Sequence, residues 1–145
     1  MKAVLQRVKK ASVTIDGEIY SSINAGMLVL LCVEKEDTKE SLDWMVNKIL
    51  SLRCFEDENN KMNKSLIDIN GEILAVSQFT LAADCKKGTR PSFDKAEAPE
   101  KAKAMYEQFV TKLKESNLCV KTGVFAAMMD VSLVNDGPVT FVLEK

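Results

Sequence analysis

The run Met27 to Val33, MLVLLCV, most constrains what this chain can fold into. It carries no charge, is flanked by Ala25-Gly26 and by the charged stretch Glu34 to Asp37, and is far too short to span a bilayer. A short apolar run between such signals reads as a buried central strand. The other segments must then cover it.

Strand signals surround it. Residues 2–15 read as a strand region whose Lys9-Lys10 interruption marks a bulge or bend. Asp16-Gly17 is a hairpin signal, and 18–24 return as a second strand. From Thr38 to Leu52 the period changes to that of a helix. Leu42, Met45, Val46 and Ile49 fall on one stripe, and Asp37 with Glu40 reads as the capping pair. Glu56 to Asn60 is a loop, and 65–69 with 72–79 read as a hairpin around Asn70-Gly71. A polar loop covers Ala82 to Ala98. Pro99 then opens a second helix with a stripe of Ala102, Met105, Tyr106, Phe109, Val110 and Leu113. Strands follow from Cys119, with a last hairpin turning at Asn135-Asp136-Gly137-Pro138. The expected fold is α+β: one strand-rich domain over 1–145, with two helices packed on a curved antiparallel or mixed sheet or barrel.

Composition excludes several function classes. The formal net charge is -1, so a nucleic-acid partner must be met by a local basic patch. The four cysteines, Cys32, Cys54, Cys85 and Cys119, show no CxxC spacing and read as reduced structural thiols. MKAVLQRVKKASVTI has charges among its apolar residues and is not a signal peptide, so a cytoplasmic protein without a membrane partner is expected. The chain has no histidine, which removes Ser-His-Asp and Cys-His catalysis and HExxH zinc sites. Proton transfer would fall to carboxylates, lysine, water, backbone groups or the substrate.

Three segments carry candidate chemistry. Ser77-Gln78-Phe79-Thr80-Leu81 ends a strand, where polar groups can face a pocket; strand-end propensity explains the same residues. Asn135-Asp136-Gly137-Pro138-Val139-Thr140 suits a plain turn. A cis Gly-Pro bond there would instead aim two carbonyls the same way. Lys86-Lys87-Gly88-Thr89-Arg90-Pro91-Ser92-Phe93 suits a phosphate backbone with a stacked base, or a solvated loop.

Taken together, these segments resemble the D-aminoacyl-tRNA deacylase family, also known as D-tyrosyl-tRNA deacylases, over essentially the whole chain. MKAVLQRVKKASVTIDGE, KILSLRCFEDENNKMNKSLIDINGEILAVSQFTL, KKGTRPSF and TGVFAAMMDVSLVNDGPVT carry the likeness. The chain departs from it at Cys32 and Ala126, where the family usually has glycine. The resemblance implies a homodimer with active sites at the subunit interface, no cofactor and no metal. In each site Gly137 and Pro138 of one subunit would enter the other's pocket, hold the substrate amino group and exclude an L side chain. Ser77 and Gln78 would form a wall, Arg7 and Met129 would fix or flank the tip, and Lys86, Lys87 and Arg90 would meet tRNA. Glycyl-tRNA would also be accepted, for lack of a side chain.

The substrate ester is already reactive, so positioning outweighs strong acid-base groups. Backbone N–H groups of Phe79 and Thr80 would stabilise the oxyanion, and the ribose 2′-hydroxyl would orient water. The Thr80 side chain is either a nucleophile or a pocket wall. With no base in view the wall role is favoured. Two other classes remain, a non-catalytic RNA-binding module and a general esterase with a threonine nucleophile.

Overall fold

The computed structural model describes residues 1–145. Its spine is β1 (Lys2–Ile15), which is paired along both edges. On one edge lie β2 (Glu18–Ile23) and β3 (Gly26–Cys32), both antiparallel to it. The turn between β1 and β2 has Asp16 and Gly17 at φ of 52° and 83°, the left-handed pair such a tight hairpin needs. The other edge carries β8 (Asp130–Glu144), also antiparallel. Beyond β3 come β6 (Glu72–Ser77) and β7 (Val120–Thr122), each parallel to its neighbour. Ser21 Oγ donates to the Thr122 carbonyl at 2.7 Å, which draws β2 towards β7 and curls the sheet towards a barrel.

As the apolar run requires, β3 is buried on both faces. Met27, Val29 and Leu31 join the core under α1 (Lys39–Ser51) and α2 (Pro99–Lys114), while Leu28 joins Val8, Val13, Ile23, Leu74 and Val76 inside the curl. The first stripe packs as expected, with Leu42, Met45, Val46 and Ile49 all buried. In the second, Tyr106, Phe109, Val110 and Leu113 are buried, and Ala102 and Met105 pack beside them. Lys112 Nζ reaches Asp43 Oδ1 at 2.7 Å between the two helices.

Three local expectations fail. The α1 cap is Thr38 with Ser41, each side chain taking the other's backbone N–H. Asp37 instead accepts from the Met1 ammonium and from Glu34 N, because a buried cation outbids a surface cap. The expected hairpin at 65–79 does not form. Ser65 and Asp68 bond each other's side chains and backbone, a local network that holds 65–70 in turns. β6 then pairs in parallel with β3 rather than with its own predecessor. Around the Glu56–Asn60 loop, β4 (Phe55–Glu56) and β5 (Met62–Lys64) form a small ribbon. The third failure, at 135–138, shapes the candidate site.

Burial pushes the Cys32 and Cys54 thiols from 9.0 up to about 11, with Glu34 also raising the first and Arg7 opposing the rise at the second. Raised folded-state values mean a contribution fully present below the unfolded thiol range and lost as pH rises towards 11. Urea unfolding midpoints should therefore fall between pH 8 and 10.5. The fall should shrink in a Cys32→Ala/Cys54→Ala variant; an equal fall in both would exclude the thiols as its source.

Candidate active site

β6 ends where Gln78 N donates to the Leu31 carbonyl at 2.7 Å, and the chain tightens into the 3₁₀ turn Phe79–Ala82. Leu81 N then bonds the Gln78 carbonyl at 3.2 Å and Ala83 N the Thr80 carbonyl at 3.1 Å. The leading N–H groups of such a turn, here those of Phe79 and Thr80, have no acceptor within it. The Thr80 hydroxyl accepts from Gln78 Nε2 at 2.6 Å. Behind the turn, the Cys32 thiol donates to the Phe79 carbonyl at 3.5 Å. Cys32 thus fills space under the turn that a glycine would leave open.

This turn borders a cleft of about 660 Å³. Ser77, Gln78, Phe79 and Thr80 form one wall, and the start of α2 another, with Tyr106 at its base. The Tyr106 hydroxyl is spent on the Ala75 carbonyl at 2.9 Å, and burial holds its pKa well above the usual phenol range. Phe125 to Met129 close the third side. Gly123 leaves room for Met129, since a side chain there would start 2.6 Å from the Met129 sulfur. Ala126 sits at φ 62°, a left-handed position that glycine adopts without a Cβ penalty. The glycine usual at this position in the resembled family has that physical reason.

The lining is mostly apolar. Its one carboxylate, Glu97, was not singled out in the sequence, where nothing distinguishes it from a loop residue. Its Oε1 accepts from Ala98 N at 2.7 Å, at the start of α2. No imidazole exists to serve as base.

Gly137 and Pro138 do not line this cleft, and they do not form a hairpin. β8 runs on through them, pairing Asn135 with Val8 and Thr140 with Gln6. Asp136, Gly137, Pro138 and Val139 therefore stand opposite Arg7 alone, as a bulged tip whose Gly137-Pro138 bond is cis. The strand continues because the Arg7 and Asn135 side chains take over the polar groups that the broken ladder releases. Arg7 is only 5% exposed. Its Nε donates to the Asp136 carbonyl at 2.9 Å and its Nη1 to the Cys54 carbonyl at 2.8 Å, with Glu56 Oε1 at 3.5 Å from Nη2 and Asp136 Oδ2 at 3.4 Å from Nε. Asn135 Oδ1 accepts from Val139 N at 2.8 Å, and Asn135 Nδ2 donates to Thr140 Oγ1 at 3.1 Å. Arg7 thus fixes the tip within its own chain. Met129 does not, since it belongs to the cleft wall.

Lys86, Lys87 and Arg90 are exposed on a loop closed by paired backbone bonds between Asp84 and Ser92, of 2.8 and 3.0 Å. They lie outside the cleft.

The profile of the family described as D-Tyr-tRNA(Tyr) deacylase matches residues 4–144. The chain belongs to the D-Tyr-tRNA(Tyr) deacylase family. D-aminoacyl-tRNA deacylases of Aquifex aeolicus (strain VF5) and Geotalea uraniireducens (strain Rf4) are each 58% identical to it, covering 100% and 99% of this chain and 98% and 93% of theirs. The solved c-Myc DNA Unwinding Element Binding Protein is 48% identical, with a TM-score of 0.95, covering 100% of this chain and 99% of that one. A probable eukaryotic D-amino acid tRNA deacylase shares the fold with a TM-score of 0.84 at 18% identity, over 98% of this chain and 97% of that one. In this member of the deacylase family, of the two departures Ala126 lines the cleft and Cys32 lies buried behind the turn on its wall.

Arg7→Lys keeps the charge but cannot span the Asp136 and Cys54 carbonyls together. It should cost about 2 kcal/mol in urea unfolding and lower deacylation about tenfold by misplacing the tip. Full activity in the lysine variant would show that the tip needs no such fixing.

Proposed function

We propose that this chain hydrolyses the ester joining a D-amino acid to the terminal ribose of tRNA, and does so as a homodimer whose clefts are each completed by the partner's Gly137-Pro138 tip. Family membership makes it a D-aminoacyl-tRNA deacylase, a carboxylic ester hydrolase. The observation that carries the finer reading is the separation of the two motifs. Ser77 to Thr80, Met129 and Val131 line the cleft, whereas the tip begins after Asn135. Six residues of extended strand, at ~3.3 Å each, put it roughly 20 Å from Met129. A second copy is what brings a tip to a cleft.

The surface supports such a copy. β8 pairs only with β1, so its other edge is open. Along this edge strand Val134 and Val142 are exposed, Val142 to 66%. An open strand edge of this length is normally covered, and two-fold pairing covers it with itself.

In the completed site the tip's carbonyls hold the substrate ammonium. Their closeness leaves no room for an L side chain and passes glycine, so glycyl-tRNA is a second substrate. The N–H groups of Phe79 and Thr80 face the developing oxyanion. Ser77, Gln78 and Met129 act as walls, and Arg7 locks the tip. Lys86, Lys87 and Arg90 meet tRNA phosphates. Thr80 is a wall: its hydroxyl is held by Gln78 and has no base beside it. The ribose 2′-hydroxyl orients the attacking water, so the RNA supplies part of its own catalysis. The site of action is the cytoplasm, where aminoacyl-tRNA is used; no helix is long and apolar enough to cross a membrane.

Three substrates side by side test chirality. D-tyrosyl-tRNA and glycyl-tRNA should be cleaved and L-tyrosyl-tRNA left almost intact, by a species that sediments as a dimer. Comparable D and L rates, or an active monomer, would refute the reading. A second test addresses catalysis. Thr80→Ala and Glu97→Gln should each keep substantial activity, whereas a 2′-deoxy terminal adenosine carrying the 3′ ester should lose roughly 10²-fold or more. A trapped acyl-threonine, or unchanged cleavage of the deoxy substrate, would move the chemistry to the protein.

A further inference from the structure

Phe79 has a second neighbour outside the cleft. Its ring meets Phe93 edge to face, with centroids 5.1 Å apart at 63°. Both rings are open to solvent, Phe79 by 58% and Phe93 by 37%. Phe93 does not line the cleft. It directly follows Ser92, which closes the basic loop against Asp84. Three features therefore lie in order along the surface: the cleft with Phe79 on its wall, then Phe93, then the loop with Lys86, Lys87 and Arg90. None of these three cations is within ion-pair distance of a carboxylate. Between Asp84 and Lys95 the cations Lys86, Lys87, Arg90 and Lys95 outnumber the carboxylates Asp84 and Asp94. Glu97, four residues past Phe93, is the one carboxylate of the cleft lining.

We propose that Phe93 is a stacking residue for a single-stranded nucleotide preceding the esterified terminal nucleoside, and that the RNA leaves the cleft over Phe79 and Phe93 towards the basic loop. This rests on the deacylase reading and deepens it. An aromatic face beside cations suits unpaired bases and their phosphates. The terminal aminoacyl nucleoside alone can be held by the cleft. Recognition of a whole tRNA needs contacts further along the strand, and this side of the cleft offers both an open aromatic ring and unpaired positive charge.

The experiment compares D-tyrosyl-tRNA with D-tyrosyl-adenosine as substrates for the wild type, Phe93→Leu, Phe93→Ala and Phe93→Trp. Leucine keeps apolar packing on Phe79 and removes the stacking face, so it reports on recognition even where alanine impairs folding. For tRNA, Phe93→Leu should raise KM about tenfold with kcat little changed, and tryptophan should restore it. For D-tyrosyl-adenosine neither constant should move. The salt dependence of KM should keep its slope, because the phosphates lie on the loop cations. Equal losses on both substrates would make Phe93 a prop for Phe79 and overturn the proposal, as would an unchanged KM for tRNA. A wild type that cleaves neither substrate would remove the deacylase reading and this inference with it, whereas cleavage of both with no Phe93 effect would remove this inference alone.

Discussion

A buried guanidinium governs the architecture of this chain. Arg7 lies in the middle of β1, the strand paired along both edges, at the one place where β8 inserts extra residues against it. A buried cation without partners would cost several kcal/mol. Here the Asp136 and Cys54 carbonyls accept from it, and the Asp136 and Glu56 carboxylates lie within 3.5 Å of it. These contacts tie the tip to β1 and to the loop leading into β4. The bulge can therefore interrupt the ladder without ending the strand, and β8 resumes in register beyond it. Asn135 completes the work by accepting the Val139 N–H, which would otherwise be an orphan costing about 1–3 kcal/mol.

The cleft owes its place to the two-sided burial of β3. One core lies under the helices and the other inside the curl of the sheet, and Leu31 and Val76, one from each, both line the cleft. The site consequently rests on packed strands. The turn Phe79–Ala82 on its wall is short and pinned at both ends by backbone bonds, with the Cys32 thiol behind it. For an ester that is already reactive, such rigidity is worth more than a strong base. A chain without histidine is thus no paradox. On the proposed mechanism the groups it would offer the substrate are main-chain donors, whose geometry does not depend on protonation between pH 5 and 8.

Much of this was legible in the sequence because the signals were local and strong. Both helical stripes, the Asp16-Gly17 turn, the Pro99 helix start and the apolar strand depend on periodicity and turn chemistry alone. What misled were places where distant partners decide. Asp37 looked like a cap, but the Met1 ammonium claims it. Asn70-Gly71 looked like a hairpin, but β6 finds a parallel partner in β3, which no local pattern announces. Asn135 to Pro138 had the composition of a turn, and only Arg7, far away in sequence, shows that the strand continues. Of the candidate site, Ser77 to Thr80 lie on the cleft wall and Arg7 beside the tip of its own chain, while Gly137 and Pro138 lie away from that cleft. Met129 proved to belong to the cleft rather than to the tip of its own chain. Glu97 and the pairing of Phe93 with Phe79 were invisible, since neither residue type nor spacing marks a contact between loops.

The separation of cleft and tip has a physical logic on the homodimer reading. Rejecting one mirror image needs a surface fixed to within a fraction of an ångström, because the two hands differ only in where one side chain points. Side chains have rotamers and yield. A main-chain tip locked by Arg7 and Asn135 has few ways to give. Exclusion by such a surface discriminates without binding the correct substrate more tightly, which keeps turnover free of the cost of strong ground-state binding. Placing the tip on a second copy would add a condition: on this reading a lone chain would have an open, unselective cleft, and only assembly would make it chiral. The unpaired edge of β8, with Val134 and Val142 exposed on either side of the tip, would on this reading couple the two requirements, since the contact that covers the edge would also carry the tip across.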